Sequence, residues 1–239
     1  MQLEHLAKSL TSYPLSFADA TSISAALQPY VYVLYSYGIV EGNQYNQFLP
    51  SRSLTRAEMA VMLRRTMDHR EERGPHAELP AYTDYAWTGG TIAAVTSGGS
   101  GITLLTLNSD ITGTTSISLS SDVKIYENNM LSGTSALRVG QYARVNLSKS
   151  GTAQSVRLGG TLTAFSGTVN SITRDRVNLL VNGTTRSLAI DRFTAVQVGG
   201  TAGGAELIDI QAGYTTAQCY VDAMGHLAGL KLSGGSPSA

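Results

Sequence analysis

The chain has 239 residues, with 17 basic and 17 acidic side chains that cancel at pH 7. This length predicts two or three structural units, and the zero net charge argues against a protein that binds polyanions as a whole. The single cysteine, Cys219, excludes an intramolecular disulfide and stands without the neighbouring ligands of a zinc site. No apolar run is long enough to cross a bilayer, and no secretion signal follows Met1, so we predict no membrane insertion.

The first part of the chain carries three amphipathic segments. Residues 3–10 place leucines at helical spacing, and a second helix is predicted from Ala25 to Tyr37, with Pro29 in its first turn and Gly38 as its stop. A third helix is predicted from Thr55 onward. Its buried stripe is expected to consist of Met59, Met62, Leu63 and Met67. The charged run DHREERG that follows is expected to be a solvated helix end and linker.

From Thr88 onward the hydrophobic pattern changes to a period of two residues. Of the 25 glycines, 22 follow Thr88, and the alternating stretches VKIYE, YARVNL, RVNLLV and AQCYVDA are separated by Gly, Ser, Asn and Thr clusters. Such short strands are typical of barrels or sandwiches. The stretches VGQYARVNL and GTAQSVRL are echoed by AGYTTAQCYV and GHLAGLKL, which indicates an internal repeat.

These patterns predict a multi-domain α plus all-β chain, a small helical unit followed by two tandem small β-barrels. The predicted bounds are 1–16 for the end of a preceding helical repeat, 17–74 for a complete helical repeat, 75–87 for a linker, 88–158 for the first barrel and 159–235 for the second.

The stretch SLTRAEMAVMLRR, residues 53–65, contains the most specific local motif. Thr55 and Glu58 have the spacing of a capping box, in which each side chain accepts from the other's backbone amide. Arg56 is not explained by the box, because the helix dipole disfavours a positive charge at a helix N-terminus. It therefore suggests a partner, either an anionic ligand or a nearby carboxylate from Glu41, Asp19 or Glu58.

Residues 17–67 resemble the S-layer homology repeat. The resemblance rests on FADA at the start, a helix ending in YGIVEG, then Phe48 and Pro50, and the SLTRAEMAVMLRR stretch. The sequence departs from the family pattern at Tyr45 and Asn46, which replace the usual Asp-Gly turn. The resemblance implies a repeat that works in sets of three, whose grooves bind pyruvylated secondary cell-wall polymers.

By the same resemblance, Arg56 would contact the acidic sugar, with Gly38 and Ile39 in the groove wall and Asp19 near its rim. The implied protein is a non-catalytic, extracellular fragment anchored to the bacterial cell wall or S-layer by secondary cell-wall polysaccharide. Its β-barrels would serve as scaffold or assembly modules, with other envelope proteins or further copies of the chain as additional partners. No cofactor and no metal are expected.

An alternative interpretation makes the β-barrels the binding part, for a glycan, a protein or a nucleic acid, and the helical unit a structural remnant. The β repeats resemble small barrels of bacterial surface proteins. Nucleic acid is a less favoured ligand, because the sequence after Thr88 has ten Lys and Arg and eight Asp and Glu, which gives it little net positive charge. Catalysis is not predicted. The four histidines, His226 among them, are scattered without metal-ligand spacing and are expected to be solvated, and Asp191 and Asp222 are interpreted as turn residues.

Overall fold

The computed structural model describes residues 7–8, 10, 13–71, 85–98, 102–148 and 150–237. The described part includes two α-helices, Gln28–Ser36 (α1) and Arg56–Glu71 (α2). Pro29 lies in the first turn of α1, where its missing amide hydrogen costs no intrahelical bond. The chain leaves α1 through Gly38, whose φ of 70° suits glycine. Of the helix predicted at residues 3–10, Ala7 and Lys8 are helical, and most of the rest lies outside the described residues.

The first β unit is a seven-stranded sheet. Its strands are Tyr85–Ser97 (β1), Thr103–Ser109 (β2), Gly113–Leu119 (β3), Lys124–Glu127 (β4), Met130–Ser132 (β5), Tyr142–Ser148 (β6) and Ala153–Gly160 (β7). They are ordered β3-β2-β1-β6-β7-β4-β5. All neighbouring pairs are antiparallel except β4 and β7, which run parallel.

The second β unit repeats this arrangement. Its seven strands are Thr163–Thr173 (β8), Arg176–Val181 (β9), Thr184–Ala189 (β10), Ala195–Val198 (β11), Thr201–Gly203 (β12), Thr216–Val221 (β14) and Leu227–Ser233 (β15), and Gln211–Ala212 (β13) pairs with Ser236–Pro237 (β16) separately. The order β10-β9-β8-β14-β15-β11-β12 matches the first sheet strand for strand, with β11 and β15 parallel. Among the described residues each order leaves two edge strands, so the helical-then-β layout is seen but closed barrels are not confirmed.

The boundary between linker and first β unit differs from the prediction. Strand β1 begins at Tyr85, inside the segment 75–87 expected to be linker, because its backbone pairs with β6 from Tyr85 opposite Ser148 onward. Residues 75–84, the rest of that segment, lie outside the described residues. The other proposed domain bounds stay a prediction.

The helical unit packs directly on both sheets. Its core contains Phe17, Tyr32, Val33, Tyr35 and Ile39, and it continues into Phe193, which precedes β11. Asn46 donates from Nδ2 to the carbonyl of Asn129 in the first β unit over 2.9 Å. The Tyr32 hydroxyl donates to Oδ2 of Asp191 in the second unit over 3.3 Å. One interface therefore joins all three units.

The buried stripe predicted for α2 is wrong. Met59, Leu63 and Met67 are 44%, 55% and 57% exposed, and Met62 alone of the four packs on the helical core, partly buried. Apolar spacing predicts that a helix has an apolar face, but it does not say what covers that face. In this chain the described residues cover only the turn around Met62.

Candidate functional site

The start of α2 is held by reciprocal hydrogen bonds. The Glu58 amide donates to Oγ1 of Thr55 over 3.2 Å, and the Thr55 amide donates to Oε2 of Glu58 over 2.8 Å. Arg52 also donates to the Glu58 carboxylate. These bonds, the one from Arg52 first, lower the pKa of Glu58 to about 2. These bonds hold the first turn of α2 in place at the protein surface.

Arg56 is the first residue of α2 and is exposed. The three carboxylates that could have paired with it are engaged elsewhere: Glu58 pairs with Arg52, and Glu41 lies 3.5 Å from Arg65. Asp19 accepts from the backbone amides of residues 48 and 49, each over 2.8 Å. Among the described residues, no carboxylate forms an ion pair with Arg56. Arg56 is thus an exposed arginine at a helix N-terminus.

The other three predicted ligand residues take part in contacts that hold the helical unit together. Gly38 and Ile39 leave α1 through backbone bonds to the carbonyls of residues 35 and 34, and the Ile39 side chain is only 2% exposed. The Asp19 carboxylate ties the start of the unit to the chain after the Tyr45–Asn46 turn. Gly38 and Asp19 therefore shape the unit, and Arg56 is the exposed member of the predicted set.

A cavity of about 530 Å³ separates α2 from the segment 39–50. Its walls are mostly apolar and include Ile39, Phe48, Leu54, Val61 and Met62, with Arg52 and Arg65 among its charged residues. Of the four predicted ligand residues, only Ile39 lines this cavity. Arg56 belongs to α2, which forms one wall of the cavity, but Arg56 itself does not line the cavity. The structure therefore does not bring the predicted set together in one pocket.

Sequence reasoning missed a buried polar cluster between the three units. His226, expected to be solvated, is 3% exposed, and its Nε2 lies 3.1 Å from the hydroxyl of Ser16. Asp222 accepts from the amides of Met224 and His226, as expected of a turn residue, but it too is buried. Burial would raise the pKa of Asp222, yet the bonds from His226 and the charge of Arg144 lower it below its ordinary value.

The remaining candidate nucleophile, Cys219, lies in the core of the second sheet. Burial raises the pKa of the Cys219 thiol to about 12, which fits its position in the core of the second sheet. Among the residues that the structure describes, no group of three or more His, Cys, Asp or Glu side chains is placed to hold a metal ion. In the same part of the chain, neither helix has the length and apolarity that a membrane crossing requires.

Comparison with known families gives a match in the helical unit. A model of the S-layer homology domain matches residues 16–60, a span that contains α1, the first turn of α2 and all four predicted ligand residues. No family model matches the β units, and no curated protein matches the chain. The S-layer homology domain is a cell-wall-binding module that binds wall polysaccharides, and its presence indicates association with the cell surface.

Proposed function

We propose that this chain is a non-catalytic anchoring protein whose helical unit binds an acidic, pyruvylated secondary cell-wall polysaccharide through Arg56. The observation that carries the proposal is the exposed guanidinium of Arg56, which forms no ion pair with the carboxylates that the structure describes and lies at the start of α2, where backbone amides favour an anion. A guanidinium can grip a carboxylate with two parallel hydrogen bonds. Because Glu58, Glu41 and Asp19 have other partners, none of them competes for Arg56.

The anchoring role is tested by cosedimentation of the full chain with purified sacculi that carry pyruvylated polymer. Arg56→Ala should abolish cosedimentation while leaving the melting temperature almost unchanged, because the side chain is exposed and forms no ion pair with the residues that the structure describes. Arg56→Lys should restore binding only in part, since the fork geometry is lost. Arg138→Ala is the matched control, because Arg138 is an exposed arginine of the first β unit that pairs with Glu127. Normal binding by Arg56→Ala would refute the role of Arg56.

The β units are proposed as the scaffold that carries the anchor. Support comes from their repeated topology and from the interface that fixes the helical unit on both sheets. In the alternative, in which the β units are the binding part, sacculi would retain every Arg56 variant. The same cosedimentation experiment therefore separates the two interpretations.

A further inference from the structure

The first β sheet carries a polar and cationic outer face beneath the helical unit. Strand register aligns one row of residues across β4, β7, β6 and β1, consisting of Lys124, Ser155, Asn146 and Trp87. The adjacent row consists of Tyr126, Arg157, Arg144 and Gly89. Residues between these rows, such as Val145 and Val156, point into the sheet core and are fully buried. The alternation therefore concentrates two arginines and two aromatic rings on the face that meets the helical unit.

A third arginine joins this face from the second β unit. The guanidinium carbons of Arg144 and Arg192 lie 4.3 and 4.7 Å from the centroid of the Phe193 ring, and that of Arg157 lies 4.7 Å from the Tyr126 centroid. Cation–π contacts stabilise a guanidinium but do not neutralise it. Among the side chains that the structure describes, no carboxylate lies within salt-bridge distance of any of the three.

The nearby carboxylates are held by other groups. Asp191 accepts from the Phe193 amide over 2.9 Å and from the Tyr32 hydroxyl. Asp222 accepts from turn amides of its own hairpin, and Glu41 pairs with Arg65. Buried charges are normally paired, because an isolated ion loses its hydration on burial. Asp191 and Asp222 keep their negative charge, because their hydrogen-bond partners here are neutral, and both act on Arg144 through that charge. Three guanidiniums against these two carboxylates leave one positive charge in excess at this interface.

A cavity of about 510 Å³ is lined by two of these arginines, Arg157 and Arg192, and by Lys124, with Glu41 and Asp122 as its acidic residues. It lies between the helical unit and the first sheet, and its lining includes Tyr35, Trp87, Asn146, Arg157 and Arg192. Among the described residues, Trp87 Nε1, Asn146 Oδ1, Arg157 Nε and Arg192 Nε are buried without a hydrogen-bond partner. These are three donors and one acceptor on the walls of a single cavity.

The positive potential is also visible at the Tyr35 hydroxyl. Burial would raise the pKa of Tyr35, but the guanidiniums of Arg157, Arg144 and Arg192 lower it below its ordinary value. The cavity has the size of sites that hold small ligands, which span about 300–1,000 Å³. Asn43, Gln44 and Gln154 add amide groups to its rim, which suit hydroxyl groups of a ligand.

We propose that this cavity is a binding site for a hydroxylated organic anion of one or two sugar rings, whose carboxylate or phosphate pairs with Arg192. The site is separate from Arg56, which is not among the residues of the cavity. Its residues come from the helical unit and from both β units.

The single tryptophan of the chain, Trp87, lines the cavity and reports directly on its occupancy. The full chain is titrated with glucuronate and digalacturonate as carboxylate probes, glucose 6-phosphate as the phosphate probe and glucose as the neutral control. We expect a saturable change in Trp87 emission with one of the anionic classes and none with glucose. The anion that binds shows whether the ligand's charged group is a carboxylate or a phosphate. No change with any anion up to about 10 mM, beyond the range of a weak specific site, would overturn the proposal.

Two variants test the role of the positive charge. Arg192→Gln should weaken anion binding by at least about tenfold, because the charge-assisted contact is lost. Asn146→Asp places a carboxylate on the cavity wall, and it should block the anion even if Arg192→Gln fails to fold. Arg56→Ala should leave the Trp87 response unchanged, which separates this site from the anchoring site. Unchanged anion affinity in Asn146→Asp, or in a folded Arg192→Gln, would refute the site.

Discussion

The two helices of the helical unit are built for different surroundings. In α1, Val31, Tyr32, Val33 and Tyr35 are all buried, and Tyr32 reaches Asp191 in the second β unit. In α2, none of residues 56–67 is buried, and the helix is attached mainly through Met62 and the Arg65–Glu41 pair. A short helix is thus fixed by packing, and a longer one is fixed at its start by a capping box.

This difference indicates that α1 supports the structure, whereas the start of α2 is available for the proposed binding. Helical stability in proteins comes mostly from packing of one face, so α2 depends on its cap and on whatever covers its apolar side. Its exposed first turn leaves Arg56 accessible, whereas α1 and the Asn46 turn hold the unit on the sheets. Variants of the two regions should therefore affect different measurements.

The largest effect on stability is expected at Asn46, which joins the helical unit to the first sheet. Its Nδ2 donates to the Ser16 carbonyl over 2.6 Å and to that of Asn129, and its Oδ1 accepts from Arg157 over 2.8 Å. Asn46→Ala should lower the free energy of unfolding by about 2–4 kcal/mol, because buried partners are left unsatisfied.

Asn46→Gly is the matched control for backbone strain at this position. Asn46 has a φ of 59°, which glycine adopts freely and alanine does not, so the glycine variant should be about 1 kcal/mol more stable than the alanine variant. Chemical denaturation measures both. An alanine variant as stable as the wild type would show that this junction does not hold the unit.

A matched pair of valines compares the two helices directly. Val33 in α1 is 2% exposed and Val61 in α2 is 49% exposed. Val33→Ala should cost about 2 kcal/mol of unfolding free energy from lost burial and a residual cavity. Val61→Ala should change it by less than about 0.5 kcal/mol. Equal costs in denaturation curves would mean that the face of α2 is covered in solution.

A smaller effect is expected at the cap of α2. Thr55→Ala removes the acceptor for the Glu58 amide and should destabilise the helix start by about 1 kcal/mol, whereas Thr55→Ser keeps the hydroxyl. Amide hydrogen exchange in the first turns of α2 measures the change. Exchange that is equally slow in both variants would show that the box does not hold this helix.

The smallest expected effect is the pH dependence of the same cap. The pKa of Glu58 is lowered from its ordinary value of 4.5 to about 2. A depressed pKa means that the stabilisation is complete above about pH 4.5 and is lost as the pH falls toward 2. NMR titration of the Glu58 carboxyl should show this shift, and Arg52→Gln should move the pKa upward. A wild-type pKa near 4.5 would contradict the Arg52–Glu58 contact.

Local features of the sequence predicted several elements. Pro29 and Gly38 bracket α1, Thr55 and Glu58 form the start of α2, and the change of hydrophobic period marks the passage from helices to strands. The internal echo corresponds to the repeated strand order. In each case neighbouring residues carry the physical cause, so the pattern is visible without the fold.

Features that depend on distant contacts were not predictable in the same way. Asn46 meets a carbonyl 83 residues away, and His226 meets a hydroxyl 210 residues away. A two-residue period shows which side chains share a face, but not that Arg144 and Arg157 lie under a helical unit. The proposed anion-binding cavity draws its lining from both β units and the helical unit, so no single stretch of sequence indicates it.

Amide chemical-shift mapping with soluble pyruvylated wall polysaccharide tests the central claim most directly. If α2 presents the anchor, the largest shifts on adding the polymer should fall on the amides of Arg56, Ala57 and Glu58, and they should vanish in Arg56→Ala. Shifts confined to the β strands, or no shift in the first turn of α2, would contradict the assignment of wall binding to this helix.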